Sequence, residues 1–179
     1  KTLGPAIVWS DAVFMKHFSA AKRWELNAGA LNLVTAGLPA HCAVCSENIP
    51  VSDCDGYLLV DPVGITDTEV AALEQKLAEG KGIIVVGETD NKRLMKLLGI
   101  QKTVCLETDA RILVHREACE RLAVSVPEDA CFHKELDILD HIATDAEPLV
   151  SATDGRQERV LLSIRKTASG GKAVFARRR

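Results

Sequence analysis

The sequence predicts an α/β fold with a flavodoxin-like, doubly wound and mostly parallel sheet, helices on both faces and an antiparallel β-hairpin at the edge. Two short runs carry this prediction. Residues 57–60 and 83–86 are apolar at every position, which is typical of parallel strands covered on both faces. Residues 66–79 between them have apolar positions at helical spacing. The three segments therefore form a βαβ unit, whose crossover we expect to be right-handed.

The helix of this unit has defined start and stop signals. Thr66 suits the N-cap position, and Glu69 is placed to complete a capping box with it. Its apolar face consists of Val70, Leu73 and Leu77. Gly80 and Gly82 end the helix before the second strand begins.

The N-terminal part of the chain supplies further alternating elements. Residues 6–9 are an apolar run that predicts a first central strand, and residues 18–36 have helical spacing that stops at Gly37. Residues 41–45 predict a second strand, and residues 46–53 are polar and predict a loop. This alternation of strands and helices is typical of a doubly wound sheet.

The elements after residue 86 are shorter. The patterns predict a helix over 91–98, followed by strands over 100–105 and 111–115 with a turn near 108–109. A helical turn over 117–122 and an acidic irregular stretch over 127–148 come next. The last predicted element is a hairpin of strands 159–165 and 172–176.

We expect residues 1–179 to form a single domain. Its βαβ core would span 1–100, an irregular β/α insertion 101–158 and a closing hairpin 159–176. The chain begins at Lys1 rather than Met, and strand-like residues begin almost at once, at Ala6. We therefore expect a piece cut from a longer polypeptide.

Composition argues against several classes of partner. The net charge of −3 gives no electrostatic case for nucleic acid or an anionic membrane, and no apolar stretch is long enough to span a bilayer. The basic run 177–179 is interpreted as a frayed or cut terminus. The six cysteines are interpreted as mostly reduced apolar residues, which favours a cytoplasmic setting.

Polar residues follow several of the predicted strands, where open α/β sheets bind ligands. The candidate ligand-binding residues are Ser10, Asp11, Asp61, Glu88, Thr89 and Asp90. If they converge, they could bind a metal ion, do acid–base work, or form a site for a small molecule or a sugar. The alternative, which we favour, is that they cap the following helices and solvate the loops.

A second cluster of polar residues raises the alternative of a zinc site at His41, Cys42, Cys45 and Cys54. In a strand over 41–45, however, Cys42 and Cys45 point to opposite faces, so we favour core packing and predict no metal. Glycine-rich nucleotide-binding motifs and the G-x-S-x-G nucleophile motif do not occur, and we predict no cofactor.

The stretch 57–91, YLLVDPVGITDTEVAALEQKLAEGKGIIVVGETDN, resembles the class I glutamine amidotransferase-like fold. It is most similar to the branch found as the trimerisation domain of microbial β-galactosidases and as accessory domains of related glycoside hydrolases. Residues 97–100 and the tail 160–176, VLLSIRKTASGGKAVFA, extend the resemblance, which covers most of residues 4–100 and 147–176.

One departure from the family decides the chemistry that the resemblance implies. True amidotransferases carry a nucleophilic cysteine in the turn after the strand that matches 83–86, whereas this chain has Gly87, Glu88 and Thr89. The spelling at 115–117 is His-Arg-Glu, but no cysteine at the turn is available for it to activate. We therefore predict no catalytic residue and no glutaminase activity.

The resemblance implies a non-catalytic accessory domain of a larger, carbohydrate-active protein, with a glycoside hydrolase as parent. Its role would be interdomain packing or oligomerisation, and its partners other domains of the parent chain or copies of itself. The alternative is a small-molecule or sugar-binding module, or a degenerate hydrolase, with its polar site at the carboxyl ends of the parallel strands.

Overall fold

The computed structural model describes residues 5–16, 43–106, 110–125 and 139–177. The predicted helix over 18–36, residues His41 and Cys42, and residues 127–138 of the acidic stretch lie outside the described residues. The strands are β1 (Pro5–Trp9), β2 (Ala43–Cys45), β3 (Gly56–Val60), β4 (Gly82–Val86), β5 (Ile100–Lys102), β6 (Arg111–Val114), β7 (His141–Ala143), β8 (Glu147–Thr153), β9 (Glu158–Lys166) and β10 (Lys172–Ala176). The helices are α1 (Asp11–Lys16), α2 (Asp67–Ala78), α3 (Lys92–Leu98) and α4 (Arg116–Arg121).

Eight of these strands form one mixed sheet in the order β2-β1-β3-β4-β10-β9-β8-β6. The first five strands run parallel to one another, and β9, β8 and β6 continue the sheet by antiparallel pairing. A second, small sheet pairs β5 with β7 in antiparallel fashion. The prediction of an α/β fold with a mostly parallel sheet is therefore confirmed.

The βαβ unit has the predicted form. Strands β3 and β4 are parallel neighbours, with Tyr57 opposite Ile83. Thr66 and Glu69 form the capping box at the start of α2: the Thr66 hydroxyl accepts the Glu69 N–H at 3.3 Å, and Glu69 Oε2 accepts the Thr66 N–H at 2.8 Å. The backbone N–H groups of Thr66 and Glu69, which have no carbonyl partner within the first turn of the helix, are thus both hydrogen-bonded.

This capping box gives the first testable prediction. Replacing Thr66 by alanine removes the hydroxyl that accepts the Glu69 N–H, so we expect a loss of about 1 kcal/mol in the free energy of unfolding, measured by urea denaturation. Thr66→Ser keeps the hydroxyl and serves as the control. Equal losses in the two variants would show that the cap contributes nothing.

Helices pack on the two faces of the sheet near β10. Adjacent residues of β10 point to opposite faces: Phe175 packs into the large core that contains the apolar residues of α2 and α3, whereas Val174 packs against the cluster that contains Ala118 and Cys119 of α4. Phe175 is fully buried. The longest helix within the described ranges, α2, has 12 residues and is too short to cross a bilayer.

The hairpin is not at the edge of the sheet, which corrects one expectation. Strand β10 pairs with β4 on one side and with β9 on the other, so it is the fifth of eight strands. The physical reason lies in its side chains, because Ala173 and Phe175 are completely buried and need cover that an edge position does not provide. The edge strand at this end is β6.

Two further predictions, both for the middle of the chain, differ from the structure. The two strands predicted over 100–105 and 111–115 are shorter in the structure and do not pair with each other: β5 pairs with β7, whereas β6 pairs with β8. The stretch 127–148 is not wholly irregular, since it contains β7 and the first residues of β8. A three-residue strand such as β7 shows no periodicity in sequence, and its pairing with β5 is a long-range contact that local patterns do not encode.

Candidate functional site

The predicted strand-end residues lie at the carboxyl edge of the parallel strands, and five of the six already make hydrogen bonds or ion pairs. The Ser10 hydroxyl accepts the N–H of Val13 at 3.2 Å and hydrogen-bonds to the Glu69 carboxylate. Burial acts to raise the pKa of Glu69, but the hydrogen bonds from Ser10, Ser46 and Thr66 outweigh it and hold that pKa below its usual range. Ser10 therefore supports the cap of α2.

Asp61 is part of a locked corner between β3 and β4. It is buried, its backbone has φ +45°, and its N–H donates to the Val86 carbonyl at 2.8 Å. Its Oδ1 accepts the N–H of Glu88 at 2.9 Å. Gly87 has φ +99°, and a Cβ at this position would overlap Asp61 Oδ1. The Asp61 carboxylate thus holds the backbone of the corner after β4.

Asp90 and Thr89 are engaged in the same way. Asp90 forms an ion pair with Lys16 and accepts the Gly64 N–H at 2.8 Å. Burial acts to raise the pKa of Asp90, but the bonds from Lys16 and Gly64 hold it below its ordinary value. The Thr89 hydroxyl accepts the N–H of Asn91, the N-cap of α3, at 3.3 Å.

Glu88 leads to a group of charged residues that the sequence did not reveal. Its Oε1 lies 3.2 Å from Arg177 Nη2, and the Arg177 side chain is only 6% exposed. Arg177 Nη1 lies 3.9 Å from Asp140 Oδ1, and Asp140 Oδ2 lies 3.0 Å from Lys102 Nζ. His141 Nδ1 lies 2.8 Å from Asp140 Oδ1. We name Asp140, His141, Arg177 and Lys102 the Asp140 cluster.

The Asp140 cluster corrects the interpretation of residues 177–179 as a frayed terminus, at least for Arg177. The Arg177 N–H donates to the Leu161 carbonyl at 2.7 Å, so its backbone continues the pairing beyond β10. The signal in the sequence was a charged residue directly after a buried strand. Its partners, Asp140 and His141, come from the stretch predicted to be irregular, which is why the cluster was missed.

Burial and the neighbouring charges together set the pKa values of Asp140 and His141. Burial acts to raise the pKa of Asp140, but Lys102, His141 and Arg177 together hold it below its usual range. Burial lowers the pKa of His141; the neighbouring Asp140 acts in the opposite direction without overcoming it, and Arg177 and Lys102 add to the lowering. The His141 ring packs against Phe175 with centroids 5.1 Å apart, and its Nε2 has no hydrogen-bond partner within the described parts of the chain.

A pH dependence follows from His141. Because its pKa is lower in the folded than in the unfolded chain, the unfolded chain takes up the proton first as the pH falls. The stabilisation is complete above about pH 6.5, the ordinary histidine value, and is lost as the pH falls towards the folded pKa. We expect the free energy of unfolding to decrease from pH 7 to pH 5 in the natural chain and to decrease less in His141→Gln. Parallel curves for the two proteins would contradict this assignment.

The structure describes only three of the remaining predicted residues. Asp11 is exposed in the first turn of α1. Cys45 is exposed and Cys54 is buried, while the other two residues of the zinc alternative lie outside the described ranges. No group of three or more histidine, cysteine or acidic residues in the described segments could hold a metal ion.

The corner after β4 carries no thiol, because residues 87–89 are Gly, Glu and Thr. Cys105 is exposed, and its sulfur hydrogen-bonds to the backbone of Leu139 and Leu106. The strand-end residues therefore hold helix caps, loops and one another's backbone.

No family profile matches the chain, and no curated protein sequence matches it. Solved structures do share its fold. The exo-β-1,4-mannosidase Op5Man5 from Opitutaceae bacterium strain TAV5 superimposes with a TM-score of 0.64 at 13% identity, over 97% of this chain and 31% of that chain. Gan42B, a GH42 β-galactosidase from G. stearothermophilus, has a TM-score of 0.63 at 10% identity, over 100% of this chain and 28% of that chain.

A ThuA-like protein from Bacteroides uniformis shares the fold with a TM-score of 0.52 at 10% identity, and here the match covers 98% of this chain and 83% of that chain. At these identities the likeness shows the fold alone. The chain thus has the fold of one part of the two glycoside hydrolases, and it spans less than a third of their length.

Proposed function

We propose that this chain is a non-catalytic accessory domain of a larger, carbohydrate-active protein, in which it packs against other domains or joins copies of itself. The strongest support is that this chain matches only part of each of two longer enzymes. The whole of this chain matches 28% of a GH42 β-galactosidase, and nearly the whole of it matches 31% of an exo-mannosidase. Both percentages are what we expect if this chain is one domain of a longer protein.

The hydrogen bonds and ion pairs of the strand-end residues support a non-catalytic role. A general acid or base must reach the proton that it transfers, and a nucleophile must be free to attack. Here the Asp61 carboxylate bonds the backbone of the neighbouring corner, and the Asp90 carboxylate holds Lys16 and the Gly64 N–H. Asp61 and Asp90 already hold these protein groups, which argues against a sugar-binding or hydrolytic role for either carboxylate.

Strand β6 supports the packing role. It is the last strand of the sheet, and its side chains Ile112 and Leu113 are 36% and 41% exposed on opposite faces. Natural proteins cover or charge open sheet edges, because an uncovered edge pairs with other chains. We propose that another domain or a second copy of the chain covers β6.

Two measurements test this proposal. Antibodies against this chain should detect, in cells that make it, a protein well above 19.4 kDa. Light scattering of the purified chain should show self-association that Leu113→Lys abolishes, if the partner is a second copy. Lys172→Gln, on a central strand, is the control. A native protein of 19.4 kDa would overturn the role as a domain of a longer chain, and a strict monomer would exclude the second copy as the partner.

A further inference from the structure

His115 is held by a hydrogen-bonded network that the role as an accessory domain does not explain. It precedes α4, and its backbone N–H donates to the Leu149 carbonyl at 3.0 Å. Its Nε2 lies 3.1 Å from both Ser151 Oγ and Glu158 Oε1. Ser151 is completely buried and donates its hydroxyl hydrogen to Glu158 Oε1 at 2.6 Å. The imidazole is therefore fixed by two side chains from β8 and β9.

This network determines the tautomer of neutral His115. Ser151 has one hydroxyl hydrogen, and Glu158 receives it, so toward His115 both groups act as acceptors. Nε2 must then carry the ring hydrogen and donate it to them. The lone pair is left on Nδ1, which becomes a hydrogen-bond acceptor. A carboxylate that orients a histidine in this way is typical of functional histidines.

His115 also lines a cavity of about 500 Å³, a volume within the range of small-molecule sites. The other charged residues in its lining are Arg116, Glu117, Arg121 and Glu147. Arg121 of α4 and Glu147 of β8, which both line the cavity, form an ion pair with each other. The charges of the two arginines and the two glutamates cancel, so these four residues give the lining no net charge that would attract an ion.

We propose that this cavity binds a neutral, polyhydroxylated small molecule such as a saccharide unit. Arginine side chains carry only donors and glutamates carry only acceptors, so the lining holds both kinds of group. A hydroxyl group both donates and accepts, so a ligand with several hydroxyls uses both sets, and Pro148 adds an apolar surface. The site involves none of the predicted strand-end residues and does not depend on the accessory role.

Nuclear magnetic resonance of the chain tests the proposal in two ways. Long-range ¹⁵N spectra at pH 8 should show the hydrogen of His115 on Nε2, and a hydrogen on Nδ1 would overturn the proposal. Titration with D-glucose or D-galactose should shift the backbone amides of residues 114–118 in a saturable manner. His115→Ala should weaken that binding about tenfold, as the loss of one hydrogen bond does.

Controls separate this site from general effects. Glu120→Gln changes the same helix at a residue outside the cavity lining and should leave the titration unchanged. D-glucuronate and inorganic phosphate test the charge argument: saturable shifts with these anions but not with the neutral sugars would overturn the ligand class. No shift with any of the four compounds would overturn the site.

Discussion

Gly87→Ala is expected to lower the free energy of unfolding by about 3 to 5 kcal/mol. Gly87 has φ +99°, a conformation that alanine adopts only with strain of about 1 to 3 kcal/mol. The added Cβ would also overlap Asp61 Oδ1. Asp61 would have to move away, and its hydrogen bond from the Glu88 N–H would be lost at a cost of about 2 kcal/mol.

Gly155→Ala is the matched control for this prediction. Gly155 also has a positive φ, +91°, but nothing lies within 4 Å of the position its Cβ would take. It should therefore lose only the strain of about 1 to 2 kcal/mol. Urea denaturation of both variants measures the difference. Equal losses would show that the contact between Gly87 and Asp61 is not what shapes the corner.

Asp140→Asn is expected to destabilise the chain by about 3 kcal/mol. Asp140 is buried and faces Lys102, His141 and Arg177, and Arg177 is itself buried. Removing the carboxylate leaves the guanidinium with Glu88 as its remaining ion-pair partner among the described residues. Taking one of two anionic partners away from a buried charge costs more than a surface pair contributes.

A surface pair provides the comparison for Asp140. Asp53 pairs with Lys81 at 2.9 Å, and the Asp53 side chain is 84% exposed. Asp53→Asn should therefore leave the denaturation midpoint almost unchanged. If both variants behaved alike, the Asp140 cluster would be a loose surface arrangement rather than a buried one.

The sequence was sufficient for the parts of the fold that local patterns encode. The capping box at Thr66 and Glu69 and the two fully apolar strands β3 and β4 depend on residues close together in the chain, and the structure confirms them. The place of β10 was predicted wrongly, because insertion of a hairpin strand beside β4 is a long-range pairing. The same limit explains why the pairing of β5 with β7 was missed.

The candidate site shows the same division. Residues at the ends of parallel strands can be found from sequence, and Ser10, Asp61 and Asp90 do lie there. The sequence could not specify their partners, which come from distant segments: Glu69 for Ser10, the Glu88 N–H for Asp61, and Lys16 for Asp90. The networks around Asp140 and His115 depend wholly on such contacts between distant segments.

An assay of the purified chain for hydrolysis of glutamine and of chromogenic glycosides tests the non-catalytic role most directly. Because Asp61 and Asp90 bond the backbone and residues 87–89 of the corner after β4 include no cysteine, we expect no turnover above that of buffer. Glu88→Gln provides the decisive comparison, since Glu88 is the exposed carboxylate of that corner. Turnover by the natural chain that Glu88→Gln abolishes would contradict the role as a non-catalytic domain.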